Sequence, residues 1–367
     1  MRGAAICGLI SVLAVKAAAG GLDTTGQPIT FMFSEGTVAE LGYARVMPTT
    51  SGNDSPHFGG SPTGNIASEI SLPSGSFKVD ATDKLSFGFI LEKPFGADVT
   101  YGPSSVAFAG TTASADTSSM TTMLRYRFTD RFSVHGGLRW QQAEAGFGLN
   151  GALYGPFSGY SASMARDSGL GYVIGAAYEI PEYFLRISLT YNSEIEHSFV
   201  TTEMSGPVTL VSTVDATTPQ SLNLEFVSGI APETFVFGGA RWVEWSKLQF
   251  APPILSAATS DPLVDFNDTV TYRLGIGRQL SDRWTATAAL IYEPSTSPRT
   301  TVLTPVDGFY GAALGLVYSK DDFQIQTNIV ATRLGDATPF VSDLGTTVSS
   351  FSGNSSVGFG MKFVKRF

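Results

Sequence analysis

Apolar and polar residues alternate along much of this chain. In residues 323–334, Gln324, Gln326, Asn328 and Thr332 are separated by Phe323, Ile325, Ile329 and other apolar or small residues. Successive side chains of an extended strand point to opposite faces, so this pattern predicts a strand with one polar and one apolar face. The same alternation occurs in residues 132–141, 185–194 and 355–367.

Aromatic residues enclose the apolar face of some of these segments. Tyr310 and Tyr318 lie at the two ends of a face formed by Ala312, Leu314 and Leu316. Tyrosine prefers the interface between lipid and water, so this arrangement is typical of a lipid-facing strand between two aromatic girdles. The chain also ends on an aromatic residue, Phe367. At the end of a last strand, this residue would be accessible to an assembly machinery.

The links between the segments alternate in length. Short polar links occur at residues 129–131 and 281–282, whereas residues 50–75 and 251–268 are long and rich in Gly, Ser, Thr and Pro. From residue 20 onward we find no run of about 18 apolar residues, which excludes helical spans. The pattern predicts an all-β fold, a transmembrane antiparallel β-barrel of about 14 strands with both termini on the periplasmic side.

Two other β architectures also show alternating residues. A soluble β-sandwich or a β-repeat passenger domain is disfavoured because the predicted strands have about 10 residues or more, against about 5–6 in typical soluble sheets. We find no repeat with a period of about 20 to 50 residues, which disfavours a solenoid or a propeller.

Composition restricts the function. The chain has 367 residues, of which 15% are charged, and its formal net charge is −9 without a run of Lys or Arg. A surface that follows nucleic-acid phosphates needs clustered positive charge, so nucleic acid is not an expected partner.

The first residues indicate the compartment. Arg2, an apolar stretch over residues 4–15 and the alanines at 17–19 predict a signal peptide over residues 1–19, cleaved after about Ala19. The single cysteine, Cys7, lies in this segment. The mature chain is therefore expected to have neither disulfides nor thiolate metal sites.

Residues 231–248, APETFVFGGARWVEWSKL, resemble a segment of the FadL-type long-chain fatty acid transporters. In that segment, a turn with Pro and an acidic residue leads into a strand that ends on Trp-Ser, here Trp245 and Ser246. Residues 266–295 resemble the hairpin that follows, with Asp268 at its entry and Trp284 starting its second strand. Residues 93–102 and 304–318 are also similar to their counterparts.

The resemblance implies a monomeric barrel in the outer membrane of a Gram-negative bacterium, plugged by an N-terminal hatch. It also implies that hydrophobic molecules enter from outside and leave sideways, beside a kinked third strand. Pro94, Phe95 and Gly96 lie in the third predicted strand, where Pro removes a backbone donor and Gly permits a bend. The alternative is that Pro94 simply ends a strand near the rim.

One feature departs from the family pattern. The family's N-terminal segment usually carries Asn-Pro-Ala, whereas this chain has FMFSEGTVAELGYARV at residues 31–46. We expect the barrel to occupy residues 37–367, which leaves residues 20–36 as a short plug. Phe31 and Phe33 are candidates to line an apolar pocket from this plug, or to be packed beneath the barrel.

An amphipathic ligand needs an apolar channel for its tail and a fixed cation for its carboxylate. The alternation places five cations on lumen faces, as candidates to bind ligand: Arg125, Arg139, Arg186, Arg273 and Lys362. The alternative is that they pair with interior carboxylates, for which Glu144, Asp167, Glu194 and Glu196 are available.

The predicted function is transport of hydrophobic molecules across the outer membrane, with long-chain fatty acids first among them and hydrocarbons next. The alternatives are a general diffusion porin and a structural outer-membrane barrel. Outer-membrane lipids and lipopolysaccharide are expected neighbours, and no cofactor or metal is expected. Ser133 and His135 share a lumen face, but the chain has no Gly-x-Ser-x-Gly motif and no cluster with metal-ligand spacing. An enzyme is therefore not expected.

Overall fold

A computed structural model of the protein describes residues 22–257, 259, 264, 266–297 and 299–367. The predicted signal peptide, residues 1–19, lies outside the described residues. The described chain forms a closed antiparallel barrel of 14 strands. The last strand pairs with the first from Val38 opposite Arg366 to Thr49 opposite Ser355. The predicted fold class and strand number are confirmed.

Three of the 14 strands consist of two segments each. The strands are β1 (Val38–Thr49), β2 (Ile70–Asp80), β3 (Leu85–Glu92 and Gly96–Thr100), β4 (Thr112–Arg127), β5 (Phe132–Leu149), β6 (Tyr160–Ile180), β7 (Leu185–Asn192 and Ile195–Ser205), β8 (Val208–Thr218 and Ser221–Ala231), β9 (Thr234–Val243), β10 (Thr269–Gln279), β11 (Trp284–Glu293), β12 (Phe309–Lys320), β13 (Phe323–Leu334) and β14 (Ser355–Arg366).

Short elements occupy the connections. One α-helical turn, α1 (Pro253–Ser256), lies between β9 and β10. The 3-10 turns are Thr30–Phe33, Pro56–Phe58, Ala152–Phe157, Pro181–Tyr183, Trp245–Lys247 and Ser342–Leu344. Two strand pairs lie outside the barrel, Gly52–Asp54 with Ser349–Phe351 and Phe340–Val341 with Thr346–Thr347. Among the described residues, no helix has the length and apolar character to cross a membrane.

The two ends of the barrel differ. One end, which we call the turn end, carries the short links and the start of β1 and the end of β14. The other, the loop end, carries most of the long connections, including residues 50–69, 244–268 and 335–354. Phe367 closes the turn end, where its backbone N–H donates to the carbonyl of Thr37 at 3.0 Å.

The outer face of the barrel is apolar, as the alternation predicts. On β14, Val357, Phe359, Met361 and Phe363 are exposed, whereas Lys362 is buried on the lumen side. Tyr272, Tyr292 and Tyr310 lie opposite one another on β10, β11 and β12 and are all exposed. These tyrosines form part of an aromatic girdle nearer the loop end.

One wall of the lumen is also apolar. Buried residues of β9, β11, β12, β13 and β1 form a continuous cluster that includes Phe235, Ile291 and Val46. Phe235 lies against Gly277 of β10, where a Cβ atom would be 2.0 Å from the Phe235 ring. The lack of a side chain at Gly277 therefore gives the ring its place in the wall.

The alternation slips at two places. In β6, Ala165 and Arg166 are both exposed, where the register between β5 and β6 shifts. In β7, the interruption at residues 193–194 leaves Asn192 and Ile195 both buried. Glu194 and Glu196 are consequently exposed, so the expectation that they face the lumen is wrong. A bulge adds a residue to one strand and reverses the face of every residue beyond it.

Candidate functional site

The third strand is interrupted at residues 93–95. Its first segment pairs with β2 from Gly75 opposite Leu91 to Asp80 opposite Ser86. Its second segment, Gly96–Thr100, pairs with β4. Among the described residues, the only bridge from this second segment towards β2 is between Val99 and Ala67, which precedes β2. The strand resumes at Gly96, so Pro94 interrupts it rather than ending it, and residues 70–74 of β2 are left beside an opening.

Backbone groups at the interruption bond to the N-terminal residues and to β4. The N–H of Thr24 donates to the carbonyl of Pro94 at 3.0 Å, and the N–H of Gly96 donates to the carbonyl of Leu22 at 2.8 Å. The N–H of Phe95 donates to the hydroxyl of Thr117 at 2.9 Å, which in turn donates to the Phe95 carbonyl at 2.7 Å. Buried backbone groups need such partners, so the N-terminal residues stabilise the interruption.

A cavity of about 600 Å³ lies at the interruption. Part of its lining is exposed on the outer wall, including Asp98, Asp116 and Arg166. Another part, including Leu72 and Phe95, is buried towards the lumen. The cavity therefore lies in the wall between β2 and the second segment of β3, with lining residues from both faces, and we call it the wall cavity.

The outer rim of the wall cavity is charged, and most of its charges are paired. Lys93 forms an ion pair with Asp116, and Arg45 forms one with Glu69. Arg166 and Glu144 are 3.1 Å apart. Asp98 also lines the cavity, and its side chain takes part in no ion pair among the described residues.

A loop packs against the inner end of the wall cavity. The ring of Phe95 contacts the ring of Trp245 edge to face, with centroids 5.6 Å apart, and Trp245 contacts Phe266 at 5.9 Å. Trp245 is 1% exposed and begins the 3-10 turn that follows β9. The connection between β9 and β10 therefore reaches into the lumen behind the interruption.

A buried carboxylate holds the far part of the same loop. Glu203 of β7 is fully buried and accepts hydrogen bonds from the Tyr160 hydroxyl at 2.6 Å and from the N–H groups of Ile254 and Leu255 at 3.0 and 3.3 Å. These N–H groups start α1 and have no partner within so short a helix. Glu203 therefore fixes α1 against the barrel wall.

A second cavity of about 260 Å³, the loop-end cavity, lies between α1 and the neighbouring loops. Its lining is mainly apolar: Leu149, Leu153, Tyr154, Phe157, Leu255, Thr259, Thr301, Val302, Leu303, Phe340, Val341, Asp343 and Leu344. Asp343, the charged lining residue, accepts a hydrogen bond from the Thr259 hydroxyl at 2.7 Å. Burial raises the pKa of Tyr154, so its hydroxyl stays neutral.

We expect Glu203→Ala to weaken the binding of a hydrophobic probe such as N-phenylnaphthylamine about tenfold. The change leaves two N–H groups of α1 without a partner, and Leu255 of the loop-end cavity is then no longer held in place. Fluorescence titration of the purified protein measures the affinity. Glu196→Ala, an exposed change on the same strand, serves as the control. Equal affinities for both variants would contradict this role of Glu203.

The five predicted lumen cations all face the lumen, and each has a partner. Arg125 pairs with Glu179, Arg139 lies 3.9 Å from Glu92, Arg273 lies 3.7 Å from Glu225, and Lys362 lies 3.0 Å from Glu40. The guanidinium groups of Arg125 and Arg186 each lie 4.5 Å from the ring centroid of Phe33. Contact of these cations with a ligand stays a prediction.

The predicted carboxylate partners are wrong. Glu144 pairs with Arg166 on the outer wall, and Asp167 accepts from His197 at 3.1 Å. Glu194 and Glu196 are exposed. The slip of the alternation in β7 explains Glu194 and Glu196, whereas Glu144 lies on the outer face of β5 by the alternation itself.

Arg241, which the sequence analysis did not select, anchors the N-terminal residues. It donates to Asp23 at 2.7 Å and to the side-chain oxygens of Gln27 and Asn223 at 3.1 and 2.7 Å. Lys78 holds the other end of the segment, donating to the Ser34 carbonyl at 2.7 Å. Arg241 shares the lumen face of Phe235 and Phe237 by alternation, so its direction was readable from the sequence, although its partners were not.

Phe31 and Phe33 belong to a packed apolar cluster. With Met32 they pack among lumen residues of β3, β4 and β6, including Met123. A Cβ atom at Gly88 of β3 would be 2.5 Å from the sulfur of Met32, so this glycine makes room for the segment. Neither phenylalanine lines the wall cavity or the loop-end cavity. Their role in lining a ligand pocket stays a prediction.

Ser133 and His135 bond to other residues. Ser133 accepts from the Nε of Arg125 at 3.0 Å, and the Nε2 of His135 is 3.0 Å from the Thr190 hydroxyl. Within the described part of the chain, no group of three or more His, Cys, Asp or Glu residues is placed to hold a metal ion.

Comparisons with known proteins agree with this geometry. Residues 22–367 match the family model described as outer membrane protein transport protein (OMPP1/FadL/TodX). A Pseudomonas aeruginosa FadL homologue is similar in structure, with a TM-score of 0.72 at 18% identity over 95% of this chain and 96% of that one.

Two toluene transporters are also similar in structure. The Pseudomonas putida transporter TodX has a TM-score of 0.66 at 16% identity, covering 93% of this chain and 92% of its own. The Ralstonia pickettii transporter TbuX has a TM-score of 0.63 at 15% identity, covering 91% and 90%. No curated protein matches the chain. At these identities, the structural likenesses show the fold, whereas the family match concerns the sequence itself.

Proposed function

Because the chain belongs to the OMPP1/FadL/TodX family of outer-membrane transport proteins, we propose that it takes up hydrophobic molecules and releases them sideways through the wall cavity. The family carries hydrophobic compounds, and its barrels lie in the outer membrane of Gram-negative bacteria. The observation that supports the lateral route is the wall cavity itself, which lies at the interruption of β3 and is lined by both exposed and buried residues.

The proposed route begins at the loop end. The loop-end cavity has the apolar lining that a hydrophobic molecule needs in order to leave water. The connection that contributes Leu255 to this cavity also contributes Trp245, which packs on Phe95. We propose that the molecule passes along this connection and displaces the contact between Phe95 and Trp245. It then leaves through the wall cavity into the membrane.

Residues 20–36 act as a plug in this proposal. The part from residue 22 onward is bonded to the lumen wall through Arg241, Lys78 and the interruption of β3. A plugged lumen prevents leakage of ions while hydrophobic molecules leave sideways.

We further propose that residues 1–19 direct export, that the protein acts as a monomer, and that its outer wall contacts lipid and lipopolysaccharide. None of these steps calls for an enzymatic reaction.

In this proposal, the ligand is a hydrocarbon or a long-chain fatty acid. Two structural relatives are toluene transporters, and the sequence resembles long-chain fatty acid transporters. The mainly apolar lining of the loop-end cavity suits the apolar part of either kind of molecule. The two classes differ in the carboxylate, which only the fatty acids carry.

Uptake by Gram-negative cells tests the proposal. We expect cells that express the protein to take up radiolabelled toluene or dodecanol several-fold faster than cells with an empty vector. Leu303→Asp, which places a charge in the loop-end cavity, should reduce the rate towards that of the vector. Val208→Asp, at an exposed position outside that cavity, should not. Rates equal to the vector for the folded wild type would contradict the proposal.

A further inference from the structure

We infer that the wall cavity selects uncharged molecules, and that Asp98 on its outer rim helps to reject carboxylates. This inference rests on the proposed function, because it concerns the molecule that leaves through the same cavity. It narrows the substrate class to hydrocarbons and their neutral derivatives, such as alcohols.

The first support is the charge of the rim. Among the charged residues that line the wall cavity, the two bases, Lys93 and Arg166, pair with Asp116 and Glu144. A third acid, Glu69, pairs with Arg45 nearby. Asp98 is exposed, and the described residues offer it no ion pair. A leaving carboxylate therefore meets one uncompensated negative charge at this rim, whereas a neutral molecule meets no electrostatic barrier.

The second support is the state of the lumen cations. Lys78, Arg125, Arg139, Arg241, Arg273 and Lys362 each lie within ion-pair distance of a carboxylate of the chain. An incoming carboxylate gains a cation only by displacing one of these partners, which leaves that partner buried and unpaired. Burial of an unpaired charge is costly, so the exchange offers no net gain. The guanidinium groups of Arg186 and Arg125 each lie 4.5 Å from the centroid of the Phe33 ring. The same ring contacts the His135 ring edge to face.

The third support is the loop-end cavity. Its charged lining residue is an acid, Asp343, and the buried hydroxyl of Tyr154 is neutral. An exposed cation, Arg299, lies beside this cavity, with its guanidinium 4.7 Å from the centroid of the Phe340 ring. Arg299 does not belong to the lining. The entry site thus supplies apolar surface without a fixed cation in its lining for a carboxylate.

The experiment compares two molecules of equal length, dodecanol and dodecanoate, in cells that express the full chain. Dodecanoate is ionised at pH 7.5, since a free carboxyl group has a pKa of about 4 to 5. For the wild type, we expect dodecanol uptake at least about tenfold above dodecanoate uptake, each corrected for the vector.

Asp98→Lys reverses the uncompensated charge at the rim. We expect it to raise the ratio of dodecanoate to dodecanol uptake about tenfold, an effect comparable to one charge interaction near a protein surface. Asp282→Asn removes an acidic charge from the β10–β11 turn at the turn end and should leave the ratio unchanged. Migration of the unheated protein on gels confirms that each variant is folded.

The outcomes separate this inference from the proposed function. Uptake of neither molecule by the folded wild type would overturn the proposed function and this inference with it. Dodecanoate uptake equal to or above dodecanol uptake would overturn the inference and leave the proposed function standing. Selectivity for dodecanol that Asp98→Lys does not change would overturn the role of the rim.

Discussion

A tryptophan in place of Ala97 is expected to abolish uptake of hydrophobic molecules while leaving the barrel folded. Ala97 lies in the second segment of β3 and lines the wall cavity. An indole ring at this position narrows the cavity of about 600 Å³ and obstructs the path between Leu72 and Phe95. We expect the uptake rate of toluene or dodecanol to fall at least about tenfold, to that of the vector, because the proposed route has no other opening in the wall.

The control for this experiment is Ala331→Trp. Ala331 is exposed on the outer face of β13, so an indole ring there meets lipid and leaves the wall cavity unchanged. Uptake is measured in cells, and the fold is checked by the difference in gel migration between unheated and heated protein. Normal uptake by a folded Ala97→Trp variant would mean that the molecule leaves by another path, such as the lumen itself.

Replacement of Arg241 by Ala is expected to convert a closed barrel into an ion-conducting one. Arg241 donates to Asp23, Gln27, Ser221 and Asn223, and so joins the N-terminal residues to β8 and β9. Removing one member of a buried ion pair costs about 3–5 kcal/mol, because the other charge is left unpaired. Leaving the lumen then becomes more favourable in free energy for the N-terminal segment, because Asp23 regains contact with water outside it.

Single-channel recording in planar bilayers measures this change. We expect near-zero conductance for the wild type and frequent open events for Arg241→Ala. The control is Arg278→Ala, since Arg278 is an exposed cation near the turn end of β10. A steady, ohmic conductance of the wild type would favour a diffusion porin. A silent Arg241→Ala variant that is folded would show that Lys78 and the interruption of β3 are sufficient to hold the segment.

The sequence by itself determined the fold class and the faces of most strands, and it marked residues 94–96 as either a kink or a strand end. Alternation is a local property: the environment of a strand residue depends mainly on whether its position is odd or even, which the sequence states directly. The apolar outer face of β14, with Phe359 and Phe363 exposed and Lys362 buried, follows from this rule alone. Pro94 lacks a backbone donor in any context, but only the structure showed that the strand resumes at Gly96 instead of ending there.

Only the tertiary structure decided which residues meet. Arg241 and Asp23 are 218 residues apart in sequence, and Phe95 contacts Trp245 across the lumen. The predicted partners Glu194 and Glu196 were misplaced because the interruption of β7 reverses the faces beyond it. Such slips leave no clear mark in composition or spacing, since they arise from the register between neighbouring strands. The faces of the strands are thus local and readable in the sequence, whereas the ion pairs, the wall cavity and the anchoring of the N-terminal residues depend on how distant strands align around the closed barrel.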